Sequence, residues 1–234
     1  MISKNYFFSF KESDMEISAD EIIKLIDGGH KMIRTDFKQL ITDLLEQIPG
    51  SYDYKGELNV FYDPVFIEDL NILRIMNTDF RLSEILFNEM MRSEMTALFV
   101  CTAGNLYSDL STQYNKDGDL IMSYIVDIAG NIAVRKIAYM IHCKLTEDVS
   151  IQGMKTTNYY CPGNCGWRIN DQQKLFMLVN GDFSGIKLTA DNLMQPLKSL
   201  SGIIGIGKHV FFRENTCELC GNKNCIYRDK SAYR

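Results

Sequence analysis

Cys161-Pro162-Gly163-Asn164-Cys165-Gly166-Trp167 leads into Asp171-Gln172-Gln173. Beyond Gly185-Ile186-Lys187-Leu188-Thr189 the chain runs through Pro196-Leu197-Lys198-Ser199-Leu200-Ser201-Gly202-Ile203-Ile204-Gly205-Ile206-Gly207. Proline fixes one backbone torsion and glycine admits torsions that other residues avoid. Clustered, they pin one path and let a ligand or a neighbouring strand come close. Taken on its residues alone, the stretch from Tyr159 to Trp167 is a tight turn with a buried Trp167. Residues 198–206 read as a strand. Gly202-x4-Gly207-Lys208 imitates the start of a phosphate-binding loop. His209 replaces the Ser/Thr that such a loop needs, and Val210 to Arg213 reads as strand where a helix should begin. Nucleotide hydrolysis is excluded, and a glycine-rich strand against a neighbour is the better reading.

Upstream of this stretch lies the longest helical signal, Asp119 to Leu145. Leu120, Tyr124, Ile128, Ile132, Ile137, Ile141 and Leu145 recur there at helical spacing. Ala129, Gly130 and Ala133 keep one side narrow. A glycine inside a helix costs about 1 kcal/mol against alanine, and close packing of another helix or of a ligand would offset that cost. Asp119 and Asp127 flank the helix start, where negative charge complements the dipole.

Asn5 to Phe10 reads as a short strand. Ala19 to Ile26 is predicted helical with Ser18 as N-cap. Met32 to Ile48 is a second helix, ended by Pro49-Gly50. The pattern from Tyr52 to Ile75 alternates and reads as strands. Ser83 caps a short helix through Met91, and Thr96 to Cys101 is a buried strand. Thr102-Ala103-Gly104 turns the chain, and Asp171 to Val179 is another short helix. A helical N-terminal half followed by an antiparallel or mixed sheet in the C-terminal half makes the fold class α+β.

The chain has 234 residues, 46% of them hydrophobic, which suits one large domain or two small ones. With 25 Lys+Arg against 30 Asp+Glu and no basic run, nucleic-acid binding is excluded. The start, Met1-Ile2-Ser3-Lys4-Asn5-Tyr6-Phe7-Phe8, has no signal-peptide pattern. Apolar runs fall short of the ~20 residues that span a bilayer. A cytoplasmic protein with no membrane partner is expected.

Of the 7 cysteines, Cys101 and Cys143 sit in apolar surroundings and read as packing residues. Cys217-x2-Cys220-x4-Cys225 places three thiolates in one short loop, which suits tetrahedral zinc or an iron–sulfur cluster. Cys165 or Cys161 is the candidate fourth ligand, with His209 as a fallback. The same three cysteines would also serve as a redox pair plus a spare thiol, or stay unligated. His30, His142 and His209 share no spacing, and neither a Ser-His-Asp nor an HExxH pattern exists, so a hydrolase is excluded.

The order of these motifs resembles the reactivation domain of cobalamin-dependent methionine synthase. Thr102-Ala103-Gly104, Gly118-Asp119 and Asp127-Ile128-Ala129-Gly130 fall in the same order, so the resemblance covers most of the chain. In that family an Arg-x-Ser/Ala-Pro-Gly-Tyr loop wraps S-adenosylmethionine. Pro162 and Gly163 keep the Pro-Gly. Cys161 stands at the small residue, Tyr159 at the Arg and Asn164 at the Tyr. Arg135 stands where the family has a Glu, and the resemblance turns Asp127 toward the pocket. An Arg grips a carboxylate with charge-assisted bonds, whereas Tyr159 has one neutral donor. Arg135 would repel a sulfonium. Two such losses, each about 1.5–3 kcal/mol, would weaken binding about a hundredfold or more.

The resemblance implies one reactivation-like domain over residues 1–234. Its parts would be a helix-and-strand section (1–95), a ligand-binding-like core (96–213) and a Cys-rich tail (214–234). It implies a methyltransferase reactivation component that positions S-adenosylmethionine for reductive methylation of a corrinoid (cobalamin) on a separate partner protein, with an electron donor. Such a component needs no acid–base residue of its own. Two alternatives stand beside it. One is a non-catalytic binding module of the same fold that has lost S-adenosylmethionine. The other is a metal- or cluster-bearing redox accessory built on the tail.

Overall fold

The computed structural model describes residues 2–26, 35–48 and 53–213. Strand β1 (Ile2–Ser9) leads through a 3-10 turn (Glu12–Asp14) to helices α1 (Ala19–Ile26) and α2 (Thr35–Gln47). Next come β2 (Lys55–Tyr62), β3 (Val65–Ile67), β4 (Ile72–Ile75), β5 (Thr78–Arg81), α3 (Glu84–Met90) and β6 (Met95–Thr102). Two helices in tandem follow, α4 (Leu106–Lys116) and α5 (Leu120–Ser150). The described residues go on through β7 (Lys155–Tyr160), α6 (Asp171–Leu178), β8 (Lys187–Leu188), β9 (Met194–Gln195) and β10 (Ser199–Gly207).

Five strands form one antiparallel sheet in the order β1-β2-β6-β10-β7. The class is α+β. The sheet expected in the C-terminal half draws β1, β2 and β6 from before residue 103 as well, because β6 needs a partner on each side. Every residue of β6 is buried. Its alternate side chains feed two cores. Ala97, Phe99 and Cys101 face a core built on Ile125, Ile132, Ile137 and Ile141 of α5. Leu98 and Val100 face the other, with Phe80, Leu86, Met90, Trp167 and Leu175. Fully burying one such aliphatic or aromatic side chain is worth about 1.5–3 kcal/mol, so α5 is the main cover of its face.

The caps follow the sequence. Ser18 and Glu21 form a reciprocal capping box: the Glu21 N–H donates to Ser18 Oγ at 3.3 Å and the Ser18 N–H to Glu21 Oε2 at 2.8 Å. Ser83 accepts from the Leu86 N–H and Asp119 from the Met122 N–H. Residues 32–34 of the second predicted helix lie outside the described residues. Helix α5 runs past Leu145 to Ser150, and its first stripe residues, Leu120 and Tyr124, are exposed.

Three elements correct the sequence reading. Helix α4 is unpredicted, because only Tyr107 of it is buried. Strand β5 closes a small sheet with β3 and β4. Residues 210–213 do not form the predicted strand. The Arg213 N–H donates to Asn158 Oδ1 at 2.8 Å and Asn158 Nδ2 donates to the Arg213 carbonyl at 2.9 Å, so a side-chain amide replaces the ladder.

Gly130 is a close-approach position of α5. A Cβ there would lie 2.7 Å from Tyr107 Cβ and 2.9 Å from Lys198 Cε. Helix-against-helix packing on Tyr107 therefore accounts for this glycine. Gly130→Ala should lower unfolding free energy by about 1–2 kcal/mol in urea denaturation, because overpacking of about 1–3 kcal/mol outweighs the ~1 kcal/mol helix gain. A more stable variant would contradict this packing.

Candidate functional site

The edge strand β7 ends in the Pro-Gly turn. The Gly163 N–H donates to the Trp167 carbonyl at 2.8 Å, and the Asn164 N–H to the Cys161 carbonyl at 3.0 Å. Those two amides are spent inside the loop. Gly163 is exposed at φ 93°, a torsion that favours glycine, and only Ile169 comes near its missing Cβ, at 3.5 Å. Trp167 is buried, as expected. It donates from Nε1 to Asp171 Oδ2 at 2.9 Å and meets Phe80 edge-on, which ties the loop to α6.

Tyr159, at the position of the family's Arg, turns toward α5. Its ring meets Phe99 and His142 edge-on, with centroids 5.8 Å and 6.3 Å away. Burial pushes its hydroxyl above the ordinary range. Burial also pushes the Cys161 thiol up to about 12, with the nearby Arg135 guanidinium acting the other way. Arg135 thus lies within electrostatic reach of both Tyr159 and Cys161. Asn164 is exposed on the loop.

One turn and then two turns before Arg135 come Asn131 and Asp127, at i, i+4 and i+8 on one face of α5. Lys198, buried at the entry to β10, donates to Asp127 Oδ1 at 2.5 Å and to Asn131 Oδ1 at 2.9 Å. Asp127 is therefore half of an ion pair. The groove that the sequence placed beside Gly130 is filled there by Tyr107 and Lys198, because both side chains close over the missing Cβ. The charged side chains placed here along α5 and at the entry to β10 are Asp127, Arg135 and Lys198.

Sequence reasoning missed the roles of Lys198 and Asn131. The signal was the 127, 131, 135 spacing of polar residues along and just past the otherwise apolar stretch from Ile125 to Val134. Cys165 is half-buried, and its carbonyl accepts from Ser83 Oγ at 2.6 Å. Among the described residues no group of three or more His, Cys, Asp or Glu could hold a metal. Cys217, Cys220, Cys225 and His30 lie outside the described residues. His142 is buried, with Nε2 2.7 Å from the Thr157 carbonyl oxygen, and burial lowers its pKa. Among the described residues no helix is long and apolar enough to cross a membrane.

No protein-family model matches the sequence, and no curated protein matches it. A crystal structure of the MetH reactivation domain bound to AdoHcy is similar in fold. It aligns with a TM-score of 0.63 over 90% of this chain and 80% of that one, at 11% identity. The likeness is one of architecture, and the α+β order read from the sequence agrees with it.

The Lys198–Asp127 pair has a testable asymmetry. Asp127→Ala leaves a buried ammonium with Asn131 as its one remaining partner, and should cost about 1–2 kcal/mol in urea denaturation. Lys198→Met removes the charge and keeps the stem, and should cost under about 1 kcal/mol. Equal losses would mean that the pair is not what holds this side chain in place.

Proposed function

We propose that this chain acts as a reactivation-like protein. It holds an adenosyl compound between α5 and the Cys161–Pro162 end of β7 and presents it to a corrinoid-bearing methyltransferase. The observation that supports this most is the fold match, whose solved counterpart carries AdoHcy. Asp127, Arg135, Tyr159 and Cys161, the positions that the family resemblance singles out, lie along one side of that region.

In this reading the residues bind and orient. The Arg135 guanidinium takes the ligand's carboxylate by a charge-assisted bond. The exposed, Cβ-less face of Gly163 allows close approach of the sugar or base. Asn164 supplies an amide from the loop. S-adenosylmethionine would supply the methyl group, and a separate donor the electron, to a partner's cobalt. No residue of this chain needs to move a proton for that step.

Charge favours a second reading for the same region. The Arg135 charge acts on Tyr159 and Cys161, so a neutral thioether sits beside them at lower electrostatic cost than a sulfonium. A binding module of the same fold would then take AdoHcy and not S-adenosylmethionine. Inward packing of Tyr159 also means that Tyr159→Arg would bury a guanidinium beside Phe99 and His142, so it is no route to restoring the family's grip.

Titration calorimetry separates the readings. Reactivation predicts micromolar binding of both compounds. The module reading predicts AdoHcy tighter by about tenfold, roughly 1.4 kcal/mol, with Arg135→Glu reversing the order. Heat from neither compound would overturn both.

A further inference from the structure

The ladder between β6 and β10 runs from the Ser199–Thr102 pair, next to Lys198, to the Ile206–Met95 pair. At about 3.3 Å per residue its two ends lie roughly 23 Å apart. Gly207 closes the end away from Lys198. A Cβ on it would lie 3.0 Å from the Arg92 carbonyl oxygen and 3.1 Å from the Glu94 amide nitrogen. The Glu94 N–H donates to the Ile206 carbonyl at 2.8 Å, and the Lys208 N–H donates to Glu94 Oε1 at 2.8 Å. These contacts hold the turn after α3 against the exit of β10. Arg92, Glu94, Lys208 and His209 consequently line one bowl of about 620 Å³, open to solvent.

The donors in this bowl are uncommitted. Among the described residues the Arg92 guanidinium, the Lys208 ammonium and the His209 imidazole have no hydrogen-bond or ion-pair partner. Two cations on one concave lining repel each other, and an anion between them relieves that repulsion. The guanidinium fits an oxyanion bidentately, the ammonium adds a point charge and the imidazole offers a further N–H. Lys208 belongs to the phosphate-loop imitation, and its own N–H is spent on Glu94. Anion binding here therefore falls to side chains and not to amides at a helix start. Glu94 decides which anion. Its Oε1 is taken by Lys208, and its Oε2 has no hydrogen-bond partner among the described residues. A carboxylate repels a fully ionised oxyanion such as sulfate, but it accepts a hydrogen bond from an oxyanion that keeps a proton. A phosphate monoester keeps its second proton up to about pH 6. The bowl lies within the roughly 300–1,000 Å³ range of small-molecule sites, so it has room for more than the phosphate group.

We propose that the bowl between Arg92, Lys208 and His209 binds a protonated phosphate group, either free or at the end of a small phosphate monoester. Arg92 and Lys208 take its ionised oxygens, and Glu94 accepts its O–H. The site stands apart from the adenosyl reading, since it occupies the opposite end of the β6–β10 ladder.

Amide chemical-shift titrations of the full chain at low salt and about pH 6 test it. The probes are inorganic phosphate, glycerol 3-phosphate and sulfate. Shifts should centre on residues 92–94 and 207–209, with a dissociation constant of about 1 mM or lower for at least one phosphate probe. Sulfate should bind at least about fivefold more weakly. Tighter binding of glycerol 3-phosphate identifies an esterified ligand, whereas equal or weaker binding identifies free phosphate. Arg92→Gln and Lys208→Gln should each weaken phosphate at least about threefold, with the melting temperature unchanged because both residues are exposed. Glu94→Gln keeps an oxygen for the Lys208 N–H and removes the carboxylate charge, so the preference for phosphate over sulfate should fall to about one. The proposal is overturned if neither phosphate probe binds below about 10 mM, or if the shifts centre elsewhere. It is also overturned if sulfate matches phosphate on the unaltered chain, if neither glutamine variant weakens binding, or if Glu94→Gln leaves the preference intact.

Discussion

A side chain missing at Gly130 sets the distances on which this architecture depends. Tyr107 of α4 and the stem of Lys198 both close on that one point of α5. Helix α4 is thereby fixed against α5, and the entry to β10 is fixed against both. Once Lys198 is held there, its ammonium has Asp127 and Asn131 within reach and little water to turn to. The polar stripe on α5 is thus a consequence of a packing constraint, and the charge of the neighbouring region follows from it.

The Cys161–Pro162 turn lies beside that region. Arg135 is close enough to act on the Cys161 thiol, and a cavity of about 210 Å³ opens at the turn, lined among others by Cys161, Pro162, Gln172 and Leu200. The Gly163, Asn164 and Trp167 amides of the turn are bonded inside it, and Trp167 pins its far end through Asp171 and Phe80.

Much of the fold was legible because its signals are local. Ser18, Ser83 and Asp119 each announce a helix start, and each accepts the backbone N–H expected of a cap. The α5 stripe from Ile128 to Leu145 and the apolar run of β6 carry their burial in their periodicity. Helix α4 was not legible, since its core-facing stripe is short and broken by polar residues: Tyr107 is its one fully buried residue, with Leu110 and Tyr114 only partly buried. Residues 210–213 read as strand from composition, but the side chain of Asn158 takes both backbone hydrogen bonds of Arg213. For the candidate site, the Pro-Gly turn and the buried Trp167 were readable. The inward turn of Tyr159 and the Lys198–Asp127 pair depend on which strands become neighbours, and a linear sequence does not state that.

The account rests on an adenosyl compound lying between α5 and the end of β7. Backbone amide chemical-shift mapping with AdoHcy tests that placement most directly. Perturbations concentrated at Arg135, Cys161, Gly163 and Asn164, with the β3-β4-β5 sheet silent, are the predicted result. Saturable shifts confined to another part of the surface, or none at millimolar ligand, would contradict it.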